Sequence, residues 1–148
     1  MNALHRIKTV LVFGLGTAAI LLGGCANFHN GHAGQTVGVS LGGGEEVPPV
    51  ATPAWGHSMI TIASDLSVTG TVTVAGLDPI AAHIHLGARG VNGPIIVGLV
   101  KTRDNIWSVP AGAAITVDQY LAFRQGNLYL NVHTAANKGG EIRAQLQP

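Results

Sequence analysis

The sequence predicts an all-β domain, a Greek-key β-sandwich or barrel of about seven or eight strands with one short helix near residues 117–125. Three observations carry this prediction. Apolar residues recur with a period of two in short runs, the mark of half-buried strands. Turn signals break the runs at regular intervals, in a chain with 21 Gly and 7 Pro. Charged residues make up only 10% of the 148, against 47% apolar, which excludes disorder along most of the length and leaves one domain of ordinary size.

The elements follow in order. Val37, Val39 and Leu41 alternate before Gly42-Gly43-Gly44 breaks the run. Ile60 and Ile62 alternate with Met59, Thr61 and Ala63. Val72 and Val74 face one way while Thr69, Thr71 and Thr73 face the other, and Gly76 with Pro79 ends that strand. Ile80–Leu86 is the next, followed by a Gly-rich loop at Gly87–Pro94. Ile95–Lys101 is nearly all apolar and reads as a central strand. Asn105–Val109 is short and is closed by Pro110 and Gly112. From Val117 to Gln125 the apolar residues Val117, Tyr120, Leu121 and Phe123 approximate helical spacing, with Thr116 placed to cap the helix and Gly126 to stop it. Asn127–His133 and Glu141–Gln147 return to strands across the turn Asn137-Lys138-Gly139-Gly140. No internal repeat is present.

The N-terminus reads as an address rather than as part of the fold. Arg6 and Lys8 supply positive charge, and Val10 to Leu22 is apolar or small without a charge. As a helix those 13 residues reach roughly 20 Å, short of a hydrocarbon core of about 30 Å. The segment ends in Leu22-Gly23-Gly24-Cys25, which resembles the bacterial lipobox. That resemblance implies a lipoprotein signal peptide over 1–24, diacylglycerol on Cys25 and acylation of its freed amine with chains such as palmitate. Two or three acyl chains anchor a protein firmly, at about 0.8 kcal/mol per buried CH₂. Ala26 in place of Asp favours the outer membrane in a Gram-negative host. Residues 25–35 then form the lipidated Cys and a tether, and 36–148 the domain. Without 1–24 the chain keeps six bases and all seven acids, a net charge of −1.

Several stretches carry a family resemblance. Glu45-Glu46-Val47-Pro48-Pro49-Val50, Ala81-Ala82-His83-Ile84-His85, Asn92-Gly93-Pro94, and Gly126–Thr134 with Gly140-Glu141-Ile142-Arg143 together resemble the CHRD domain, named for its occurrence in chordin and common in bacterial secreted proteins. The match runs in order over roughly residues 36–147 and includes the short helical piece before the last two strands. It implies a sandwich fold in a bacterial CHRD-domain lipoprotein of the cell envelope, and it names no reaction.

The histidines carry the chemical question. His83 and His85 leave the same face of their strand, about 6.6 Å apart, while Ile84 and Leu86 point into the core. Leu128, Leu130 and Val132 form an apolar face that puts Tyr129, Asn131 and His133 on the other; Ile142, Ala144 and Leu146 likewise oppose Glu141, Arg143 and Gln145. If these strands are neighbours, His83, His85, His133, Asn131, Glu141 and Arg143 share one polar surface. Two readings stand. Three imidazoles from two strands suit Cu or Zn. Alternatively, the same groups form a polar network that fixes strand register. The His-x-His strand with a late His loosely resembles the copper half of copper–zinc superoxide dismutases, which implies a redox enzyme. No further His lies between His85 and His133, however, so the bridging ligand and zinc loop have no counterpart, and Arg89, Arg103 and Arg143 match no substrate-guiding arginine. His57 is a fourth ligand or a strand-edge residue, and His29 and His32 lie in the tether.

Other functions are excluded more simply. A formal charge of +1 gives no basic excess for nucleic acid. One Cys permits neither an intrachain disulfide nor a multi-Cys zinc site. No phosphate loop occurs, and no nucleophile is paired with a base. Glu45 and Glu46 point apart on an extended chain, and their Val-Pro-Pro sequel reads as an extended loop entering the sandwich. The expectation is a lipid-anchored, non-catalytic binding or structural module, with a copper or zinc protein as the alternative.

Overall fold

The computed structural model describes residues 34–148. Nine strands and one helix form: β1 (Gly34–Gly42), β2 (Trp55–Ala63), β3 (Val68–Ala75), β4 (Pro79–Leu86), β5 (Ile95–Gly98), β6 (Val100–Arg103), β7 (Ile106–Ser108), α1 (Val117–Arg124), β8 (Leu128–Thr134) and β9 (Ile142–Leu146). All pairings are antiparallel, in the order β5-β4-β8-β9-β1-β2-β3-β7-β6. The fold is all-β, as expected, and the sheet rolls into a nearly closed barrel. The proposed signal peptide, Cys25, His29 and His32 lie outside the described residues. The strand β1 begins two residues before the domain boundary drawn at 36, and the Gln35 side chain accepts a hydrogen bond from Arg124 Nη1 at 2.8 Å.

The alternation of residues explains the core. Ile60, Ile62, Val72, Ile84, Leu130 and Ile142 are fully buried inside the barrel, where each such side chain gains roughly 1.5–3 kcal/mol over exposure. Ile80 breaks the pattern and is exposed, because a register shift between Pro79 and Ala81 turns it outward.

The stretch Ile95–Lys101 corrects the sequence reading. It is two edge strands rather than one central strand, and β5 and β6 end the sheet order on opposite sides. Only Val97 and Leu99 are buried, since the chain alternates in and out instead of being covered on both faces. Leu99 is the hand-over between the edges, and its N–H donates to the Ala82 carbonyl at 2.9 Å. The strand total rises from the seven or eight expected to nine, with this split adding one.

The helix forms as its caps predict. Thr116 Oγ1 accepts from the Gln119 N–H, Gln119 Oε1 accepts from the Thr116 N–H, and Gly126 follows at φ +74°. Its apolar face is narrower than expected. Phe123 is buried and Tyr120 half-buried, but Val117 and Leu121 face solvent, because only one side of this two-turn helix meets the barrel.

A second departure positions the site. Every residue of β8 and β9 is buried, on both faces of the sheet. The inner face meets the barrel core. The outer polar face is covered by the segment 43–50, the loop 87–94 and the turn 135–141, so the polar surface expected from alternation is an enclosed layer.

Candidate metal centre

The pairing of β4 with β8 assembles the site. His83 lies opposite Asn131, His85 opposite Tyr129 and Ala81 opposite His133, so His133 sits diagonally from His83. Diagonal neighbours on one sheet face are within reach of long side chains. One ring nitrogen from each of His83, His85 and His133 lies within 4.8 Å of the other two.

Backbone carbonyls set the tautomers. His85 Nδ1 is 3.0 Å from the Gly93 carbonyl oxygen, and His133 Nδ1 is 2.9 Å from that of Lys138. A carbonyl only accepts, so each Nδ1 carries the proton and each Nε2 keeps a bare lone pair. His133 Nε2 accepts from His83 Nδ1 at 3.0 Å. His85 Nε2 is buried without a hydrogen-bond partner. A polar network would satisfy that atom; a metal ion would too. Imidazoles that hold metals characteristically donate their second nitrogen to a carbonyl, as His85 and His133 do here.

Burial keeps all three rings neutral. The His83 pKa is pushed down to about 4, first by burial and then by the nearby His133 and His85. His85 and His133 are lowered chiefly by burial, against a raising contribution from their carbonyl hydrogen bonds. Neutral imidazole is the form that ligates. His83 is half-buried, whereas His85 and His133 are 7% and 9% exposed, so the approach to the cluster is from the His83 side.

Arg143 holds the cover in place. It is 1% exposed, with its guanidinium 3.5 Å above the centre of the Tyr129 ring. Tyr129 in turn stacks on His85, with centroids 4.7 Å apart and planes 9° from parallel. Arg143 Nη2 donates to the Ala88 and Val91 carbonyls, and Nη1 donates to Asn92 Oδ1. The Gly93 N–H donates to the Tyr129 hydroxyl at 3.0 Å. The loop that presents the Gly93 carbonyl to His85 is therefore fastened by Arg143 and Tyr129. A Cβ on Gly93 would overlap the Leu86 carbonyl, which requires glycine at that closure.

The remaining expected residues divide. Asn131 lies beneath the cluster's edge and donates from Nδ2 to both Glu46 oxygens at 3.1 Å, leaving its Oδ1 unpartnered. Glu141 is not joined to the histidines. Its carboxylate accepts from Thr52, Thr134 and Asn137 and ties down the 134–141 turn, and these bonds lower its pKa. His57 is exposed on the outer face of β2, opposite Ser40 and Thr73, and the structure does not bring it to the cluster.

Sequence reasoning missed Glu46. Glu45 and Glu46 do point apart: Glu45 pairs with Arg89 at the surface, while Glu46 is buried and its pKa is raised to about 7, burial outweighing the attraction of Arg143. No local signal marks it, because its partner Asn131 is 85 residues away.

Among the described residues, no helix is long and apolar enough to cross a membrane. A family model described as CHRD domain matches residues 37–146. No curated protein and no solved structure matches the chain.

Proposed function

The chain belongs to the CHRD domain family, and on that premise we propose that it is a non-catalytic module tethered to the bacterial envelope through a lipid on Cys25, whose three-histidine cluster holds one copper or zinc ion. The observation that carries the metal reading is the His85 Nε2 lone pair, buried, unpartnered and grouped with ligand atoms of His83 and His133. The donor set fits: three neutral imidazoles supply three positions and leave a further one for water or an exogenous ligand on the His83 side. Bound metal would replace the His83–His133 hydrogen bond, and because the rings are already neutral the His83 proton would at most move between that ring's own nitrogens. The lipid reading rests on Leu22-Gly23-Gly24-Cys25 after an uncharged apolar run.

The test is metal uptake by purified chain carrying His29→Ala and His32→Ala, which removes the two tether ligands. One equivalent of copper or zinc at micromolar affinity or better is expected. Triple substitution of His83, His85 and His133 by Ala should abolish it while the β-sheet circular dichroism persists. Uptake that survives the triple substitution places the ion elsewhere and ends the metal reading. Mass spectrometry of the N-terminal peptide checks the lipid on Cys25 independently.

A further inference from the structure

We infer that the three-histidine site is selective for a monovalent ion, Cu(I), over divalent copper or zinc; this rests on the metal reading above and goes beyond it in naming charge state. Two features of the surroundings carry it.

The first is the donor set. Among the described residues the cluster contains three imidazoles and no carboxylate, so the ligands contribute no negative charge. Three imidazoles with a water suit zinc as well as copper, but a divalent ion gains more than Cu(I) from anionic donors, and the cluster has none.

The second is Arg143. Its hydrogen-bond acceptors are all neutral: Asn92 Oδ1, the Ala88 and Val91 carbonyls, and Gln145 Oε1. Its position over Tyr129, with His85 stacked on that ring, puts a full positive charge on the order of 10 Å from a metal on His85 Nε2. Of the acids that feel Arg143, Glu45 is engaged with Arg89, and Glu46 is a buried carboxyl held partly protonated near neutral pH. The site therefore sits in a net positive field. The second charge of a divalent ion is disfavoured there by roughly tenfold in affinity at an effective dielectric of about 20.

The experiment is an anaerobic competition with the His29→Ala, His32→Ala chain. Cu(I) is held by bicinchoninate under ascorbate, Zn(II) by a chromophoric zinc chelator, and the ratio of the two dissociation constants is the readout. Cu(I) should bind more tightly than Zn(II). Arg143→Gln should shrink the ratio about tenfold, and Arg143→Lys, which keeps the charge, should largely preserve it. Where Arg143→Gln does not fold, Glu46→Gln at pH 8 serves instead: it removes a nearby negative charge and should widen the ratio. Zinc held as tightly as Cu(I), or a ratio indifferent to these charge changes, overturns this inference alone. Binding of neither ion overturns the metal reading and this inference with it.

Discussion

Replacing Glu46 by Gln should stabilise the metal-free domain at pH 8 and change it little at pH 5. Glu46 is 4% exposed, and its pKa rises from 4.5 to about 7 in the folded chain. A group whose pKa is raised by folding contributes its full stability below the unfolded value and loses it as pH rises through the folded value. Ionisation of Glu46 thus costs stability between pH 4.5 and 7. At about 1.36 kcal/mol per pKa unit the loss is a little over 3 kcal/mol by pH 8 and under 1 kcal/mol at pH 5. Gln has the same shape and no charge to bury. Its carbonyl oxygen can still accept from Asn131 Nδ2, while its amide stands where the second carboxylate oxygen lay, a fixed cost that does not vary with pH. Urea unfolding of both proteins in EDTA, at pH 5 and pH 8, measures the difference directly. The variant should gain about 2 kcal/mol more at pH 8 than at pH 5. An equal effect at the two pH values would refute the assignment of a strained, buried carboxyl.

Three other outcomes are expected. His83 acts with the opposite sign: its lowered pKa means stability is intact above pH 6.5 and falls as pH drops toward 4. After discounting for its partial exposure the loss is about 2 kcal/mol, and a pH titration of unfolding should flatten in His83→Gln. Gly140→Ala should cost about 2–4 kcal/mol, since the residue sits at φ +135° with the Glu46 and Asn131 side chains where a Cβ would go, while Gly139→Ala, in open space, should be near neutral. Thermal melts compare the pair. Phe123→Ala should cost about 3–5 kcal/mol and Leu121→Ala under about 1 kcal/mol, because only the first fills the core; equal losses would show that α1 docks by another face.

The sequence made legible what depends on short-range pattern. Thr116 and Gly126 bracket α1 because capping is local chemistry, and β1 to β3 follow the alternation of Val37, Ile60, Ile62 and Val72 with polar residues. The convergence of His83, His85 and His133 follows from the sequence if β4 and β8 are neighbours, since side-chain direction on a strand is fixed by parity. What was not legible depends on distant chain. Ile95–Lys101 looks central because its composition is apolar, yet whether a strand is central is decided by what pairs on each side. The outer face of β8 and β9 looks solvated because it is polar, yet three loops from elsewhere cover it. Glu46 belongs to the same class: a surface-type residue becomes interior only because Asn131 and Gly140 receive it.

The meeting of β1 with β9 has a consequence for how the domain comes into being. They touch at the pair Gly42–Arg143, so the first strand described and the last are neighbours in the finished sheet across roughly 100 residues of chain. Such long-range closure is slow, with loop entropy spent before any contact rewards it. A growing polypeptide can form the β1–β2–β3 meander early, but β8 gains its second neighbour only when β9 arrives. Arg143, which pins the loop over His85, arrives on that same strand. The loop over the histidine cluster is thus fastened only once β9 has joined the sheet.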